Sequence, residues 1–370
     1  MQLKQPWSKM TSIMTCALLA LWLLASLVAC GSSSGNTGTG AGTSTGGKNP
    51  SDIHVGFVTE TSSLNFAAEM AAGAQYAANQ FHVNAQIVAP PNIDDEAAVK
   101  LFEDLTRTAK DGIGVMTLAP DLFVRPETQA VQEGIPVIAV DVEAPASTGI
   151  TTFVGNDNVQ AGALLADEAI KRLPANSSGT VIVGIDTPGV PPLISRFQGI
   201  KQEFNRLLPN VQVLGPFDSK QEPQANYTAW VSLIKAHPGA LAYLGVGDTD
   251  NASLARIRQA QKGTYLTAAF DLNPTGLQAV KDGVNYALVD PEHFLKGYVA
   301  MRLLIEHALY GKAIPKGWWN PGAQLVTQAN VQAIIARQAT LATKGTYYMP
   351  IINKEFANPT AQIQPYSAAR

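Results

Sequence analysis

From Ile53 to Ala336 short apolar runs rich in Val and Ile alternate with amphipathic or Ala-rich stretches, and the connections between them are brief. Regular alternation of this kind leaves a chain little choice but parallel sheets with helices on both faces. Strands are expected at Ile53 to Val58, Val83 to Val88, Ile113 to Leu118, Ile135 to Val140 and Thr151 to Val154. A second series follows at Thr180 to Ile185, Val211 to Leu214, Ala240 to Gly245, Tyr265 to Phe270, Asn285 to Val289 and Gln324 to Thr327. Helices are expected between them, among others Phe66 to Gln80, Asp94 to Lys110, a short one near Glu127 to Glu133, and a long one from His293 to Tyr310. After Thr340 no pattern is legible. With 370 residues the chain can fill two such units, each with its own core.

The stretch Gly134 to Ala166 links the two series. Its apolar run Ile135 to Val140 suits a strand buried on both faces, and it ends on Asp141 and then Glu143. In open α/β sheets the carboxyl ends of strands are where ligands are held. A turn-rich connection, a short strand and Gly155-Asn156-Asp157-Asn158 follow before the next helix. This reads as the floor of a ligand cleft and the crossover to a second lobe. Other strand ends are polar too: Thr59, Thr61, Ser62 and Ser63, then Gly247-Asp248, Asp271 and Asp290. An Asp after a strand is also an ordinary turn or cap residue. Its recurrence after most of the strands favours a shared cleft.

The amino terminus has a different character. Lys4 and Lys9 precede an apolar run from Ile13 to Ala29, the layout of a secretory signal. Leu27-Val28-Ala29-Cys30 looks like a bacterial lipobox, which would make Cys30 the lipidated first residue of the mature chain. Residues 30–50 then form a lipid anchor and a Gly, Ser and Thr tether, too polar to offset its own ordering entropy. Cys16 leaves with the signal, so Cys30 has no disulfide partner and no Cys-based metal site can form. The net charge of −3, without any cluster of Lys and Arg, argues against a nucleic-acid surface.

Several segments, in order, resemble the ribose-binding-protein-like solute-binding proteins of bacterial ABC importers. They are Val55-Gly56-Phe57-Val58 with Phe66 and Gly73-Ala74-Gln75, Ile135 to Asp141, and Gly155-Asn156-Asp157-Asn158 with Ala161-Gly162. Arg196-Phe197-Gln198-Gly199, Ala269-Phe270-Asp271 and Asp282-Gly283 complete the series. The resemblance implies a type I periplasmic-binding-protein fold: two doubly wound parallel-sheet α/β lobes joined by a three-segment hinge. Residues 51–154 with 292–321 would form the N-terminal lobe, residues 155–291 with 322–345 the C-terminal lobe, and residues 346–370 a tail. Hinge crossings are expected near Val154 to Asn156, Asp290 to Glu292 and Pro321 to Gln324.

By the same resemblance Phe66 would stack on a sugar ring, and Asp141, Arg196 and Asp271 would grip hydroxyls. Asp248 lies close to a polar ligand residue of the family, Glu143 adds an acid, and Ser63 and Asn65 complete the expected set. Val142, Leu118 and Pro291 stand where ribose binders carry polar contacts, which implies a different monosaccharide, a polyol or another small polar solute. The implied function is capture of a sugar-like solute and delivery to an ABC permease, or its report to a membrane sensor. The protein would be a lipid-anchored monomer on the outer face of a bacterial membrane or in the periplasm. No cofactor, metal or nucleic acid is implied. An enzyme is not expected, because the histidines His54, His82, His237, His293 and His307 are scattered and form no metal or nucleophile motif. His293 reads as a helix-start residue. Asp141 with Glu143 could do acid–base work, but no nucleophile stands beside them.

Overall fold

The computed structural model describes residues 48–369. The expected signal, Cys30 and most of the tether lie outside the described residues. The first series comprises β1 (Val55–Val58), α1 (Asn65–Gln80), β2 (Ala85–Val88), α2 (Asp95–Thr108), β3 (Gly112–Val115), α3 (Pro120–Gln132), β4 (Val137–Val140) and β5 (Thr152–Val154). The second comprises α4 (Asn158–Ile170), β6 (Gly179–Ile185), α5 (Pro191–Leu207), β7 (Val211–Asp218), α6 (Pro223–Ala236), β8 (Ala242–Gly245), α7 (Asp250–Gln261), β9 (Leu266–Phe270), α8 (Pro274–Lys281) and β10 (Ala287–Asp290). Then come α9 (His293–Tyr310), β11 (Gly317–Trp319), β12 (Gln324–Val326), α10 (Val331–Gln338), α11 (Leu341–Phe356) and β13 (Ile363–Gln364).

These strands form two sheets, in the orders β13-β11-β5-β4-β3-β1-β2 and β12-β10-β9-β8-β6-β7. Each is parallel except for one antiparallel edge strand, β13 against β11 and β12 against β10. Strands β1, β3 and β4 are buried along their whole length, as parallel strands covered on both faces should be. Every strand expected from the sequence is present, and β11 and β13 are additional. Among the described residues no helix is long and apolar enough to cross a membrane.

One helix pair in each lobe packs at close range and sets the cleft. A Cβ on Gly73 of α1 would lie 1.9 Å from the Phe294 carbonyl, and one on Gly297 of α9 would lie 1.9 Å from the Met70 carbonyl. Those glycines let the two backbones touch, which brings the amino ends of α1 and α9 side by side. In the second lobe Gly162 and Gly199 do the same for α4 and α5, at 2.0 Å from the Arg196 and Val159 carbonyls.

The chain passes between the sheets after β5, after β10 and between β11 and β12. It makes one further passage, between α10 and α11. Helix α10 packs its Val331 and Ile334 with Leu272, Leu277 and Val280 of the second lobe. Helix α11 instead buries Tyr348 and Ile352 in the core of the first. Residues 341–345, expected in the second lobe, therefore begin a helix of the first, and the expected tail holds the rest of that helix and an edge strand. Thr340 caps α11 by accepting from the Thr343 N–H, and Tyr348 stacks on Phe294 with 5.0 Å between ring centroids. Helix α3 also differs from expectation, starting at Pro120 and running through Pro126. Pro120 sits at the first turn, where a missing N–H costs nothing.

Candidate functional site

Four strands of the two sheets deliver acids to the gap between the lobes. Asp141 follows β4 and Asp271 follows β9, each with a left-handed backbone, φ 67° and 68°. Asp is one of the few side chains that tolerates that conformation, and residues held there tend to cluster at functional sites. Asp186 follows β6, and Gly247-Asp248 follow β8. Together with Phe66, Arg196 and His293 they line a hollow of about 400 Å³, counting its mouth.

A chain of charged groups runs across the floor. Lys296, wholly buried, pairs with Asp141. Its Nζ also lies 3.2 Å from His293 Nδ1, and His293 Nε2 lies 2.7 Å from Asp271 Oδ1. Arg196 Nη1 stands 3.9 Å from the other Asp271 oxygen and donates to the Val246 carbonyl at 2.8 Å. The Arg196 guanidinium also lies 4.4 Å from the Phe270 ring centroid, and its Nε donates to Asn158 Oδ1 at 3.2 Å. Burial pushes the Asp141 carboxyl up, but Lys296, His293 and Arg196 outweigh it and hold the pKa at about 2.

Two polar ties cross the gap. The Asn65 N–H, at the start of α1, donates to Asp248 Oδ2 at 3.1 Å, and His293 of α9 meets Asp271. Both α1 and α9 belong to the first lobe, so the lobes are closed on one another. Burial pushes the Asp248 carboxyl up to about 7, with Asp271 adding to the effect.

Of the residues expected from the sequence, Phe66, Asp141, Arg196, Asp248 and Asp271 line this one hollow. Asn65 reaches it through its backbone, while its side chain lines a smaller neighbouring hollow. Glu143 is exposed and lines a separate hollow beside Asp141, because the turn after β4 carries it outward. Ser63 is exposed and spends its hydroxyl on Thr61, at 3.0 Å. Asp290 is turned into the hinge, where Arg337 donates to it at 2.6 Å.

Sequence reasoning missed three groups here. His293 does start a helix, but its ring faces the hollow and lies 6.0 Å from the Phe66 ring centroid. Lys296 stands three residues later, on the same helical face, and that spacing was the available signal. Asp186 carried the same strand-end signal as Asp248. Among the described residues no group of three or more His, Cys, Asp or Glu is arranged to hold a metal ion.

The comparisons with known proteins bear on the family and the fold. The family model for the periplasmic binding protein domain matches residues 55–313. The xylose/arabinose-binding protein XylF of Sulfolobus acidocaldarius is 20% identical over 293 residues, covering 75% of this chain and 71% of that protein. The D-allose-binding periplasmic protein of Escherichia coli K12 is 24% identical over 267 residues, covering 70% and 85%. Among solved structures, an ABC transporter solute-binding protein from Burkholderia graminis, in complex with D-arabinose, superposes with a TM-score of 0.71. It is 25% identical, and the match covers 77% of this chain and 99% of that one. The chain thus belongs to the periplasmic binding protein domain family.

Proposed function

We propose that this chain is the substrate-binding lipoprotein of a bacterial ABC importer, which captures one sugar-like molecule between its lobes and hands it to a permease. The observation that carries this reading is convergence: Phe66 and Asp141 of one lobe and Arg196, Asp248 and Asp271 of the other line a single hollow. Phe66 offers aromatic surface to the C–H face of a sugar ring. The carboxylates and the guanidinium take its hydroxyls in charge-assisted hydrogen bonds, which are stronger than neutral ones. A guest that touches both lobes favours the closed arrangement, because only that arrangement makes both sets of contacts.

The relatives support the substrate class, being named for xylose, arabinose and allose, and the Burkholderia neighbour holds D-arabinose. The protein acts as a monomer outside the cytoplasm, and it is not an enzyme. Lipidated Cys30 holds it at the membrane through the Gly, Ser and Thr tether. Each buried methylene of the lipid adds ~0.8 kcal/mol to that attachment.

The test is a thermal-shift screen with D-arabinose, D-xylose, D-ribose, D-allose and D-glucose. A ligand at 100 times its Kd stabilises the folded state by ~2.7 kcal/mol, so a true ligand raises Tm in a dose-dependent way. A flat response to every monosaccharide and polyol would contradict the reading. Loss of membrane association in Cys30→Ala is the matching test of the anchor.

A further inference from the structure

The two walls of the hollow are not balanced in charge. Asp141 meets Lys296, and Asp271 meets His293 and Arg196, so each of these carboxylates has a cation of its own. Asp248 and Asp186 have none among the described residues. Asp248 accepts the Asn65 N–H on Oδ2, while its Oδ1 is buried without any hydrogen-bond partner. Asp186 accepts only neutral donors, the Thr187 hydroxyl at 3.3 Å and the Thr249 N–H at 3.4 Å. The Gln221 amide, in the orientation that satisfies both its ends, adds a third at 3.2 Å.

Asp250, the next acid in the chain, shows what a structural carboxylate looks like here. Ser219, Asn226, Trp230 and the Gly247 N–H all donate to it. Asp248 has no such set, and it is 5% exposed on the wall of the hollow. Gly247 completes the arrangement. A Cβ there would lie 2.0 Å from Asp186 Oδ2, so the absence of a side chain is what lets that carboxylate lie against the loop carrying Asp248. Burying two carboxyls with no cation is costly unless something else supplies the charge. Burial pushes both of them up; Asp250, Asp248 and Asp271 push Asp186 further, and Asp271 pushes Asp248 further.

Resting on the sugar-binding reading, we propose that the cleft takes a monosaccharide bearing a protonated amine, with the ammonium group against Asp248 and Asp186. Its hydroxyls then fall to Asp141, Arg196 and Asp271, and its ring to Phe66. The ligand supplies the missing cation and the hydrogen-bond donors that Asp248 Oδ1 lacks.

The test is calorimetric titration of the full chain with D-glucosamine, D-galactosamine and D-mannosamine, each beside its neutral parent and its N-acetyl derivative. At least one amine is expected to bind tenfold or more tightly than both its parent and its uncharged N-acetyl form. Asp248→Asn is expected to bring that ratio below about threefold. A parent sugar bound as tightly as its amine, or a pentose bound while all the amines are silent, overturns the inference and leaves the sugar-binding reading standing. A preference that survives Asp248→Asn also overturns it, because the ammonium then sits elsewhere. Silence from every sugar overturns both. If Asp248→Asn does not fold, the comparison of amine with N-acetyl derivative in the unaltered protein still decides.

Discussion

Asp141 and Asp248 stand on different lobes and face the same hollow, and they are 7% and 5% exposed. Both follow buried parallel strands, so burial penalises their charged forms alike. Their pKa values nonetheless part, to about 2 for Asp141 and about 7 for Asp248. The difference lies in what each one faces: Lys296 beside Asp141, and a further acid, Asp271, beside Asp248. Burial sets the cost of a charge in this cleft, and the partner decides whether the charge stays.

The largest expected effect breaks the comparison outright. Lys296→Met removes the cation that touches Asp141, leaving only the more distant His293 and Arg196, and should destabilise the protein by ~3–5 kcal/mol in urea unfolding. A loss below about 1 kcal/mol would show that Asp141 does not depend on Lys296.

Next in size is the pH dependence of stability, where the two aspartates have opposite signs. The folded pKa of Asp141 lies below its ordinary 3.8, so its contribution is present above that value and is lost as pH falls toward 2. Asn at this position should remove ~2 kcal/mol of that acid-side slope. The folded pKa of Asp248 lies above its ordinary 3.8, so its contribution is present below that value and is lost as pH rises through about 7. Asp248→Asn should therefore flatten the fall in Tm between about pH 4 and 7. Thermal melts across the range check both, and parallel curves for the two variants would refute the contrast.

A third buried acid gives a smaller effect. Burial pushes Glu292 up to about 8, with Asp290 adding to it, and the Tyr348 hydroxyl donates to it at 2.6 Å. Tyr348→Phe should cost ~1 kcal/mol, the usual worth of one buried hydrogen bond. The smallest effect is expected from Glu143→Ala, since Glu143 is exposed and outside the hollow. Its stability should stay within ~0.5 kcal/mol of the parent, and sugar affinity within about twofold.

The strands and most of the site acids were legible in the sequence for one reason. An apolar run that ends abruptly on Asp records both the burial of the strand and the polarity of its carboxyl end, as at Val140-Asp141 and Phe270-Asp271. His293 and Lys296 left no such mark, because a helix shows its faces only once its neighbours are known. Their role depends on α9 lying against α1, which Gly73 and Gly297 permit. Helix α11 escaped notice because Gly345 and Pro350 interrupt its propensity, and its stability comes from Tyr348 packing on Phe294. Strand β11 is only three residues long and begins on a glycine with φ 134°. So short a run carries no periodicity to read.

The most direct test of the central claim, one guest held between two lobes by the strand-end acids, is calorimetry on Asp271→Asn beside the unaltered protein. Asn keeps the left-handed backbone available at that position and removes the charge together with one of the two acceptor oxygens. With the sugar that raises Tm most, the account predicts one-to-one binding and a Kd at least tenfold weaker in the variant. An unchanged Kd, with the variant folded, would contradict it.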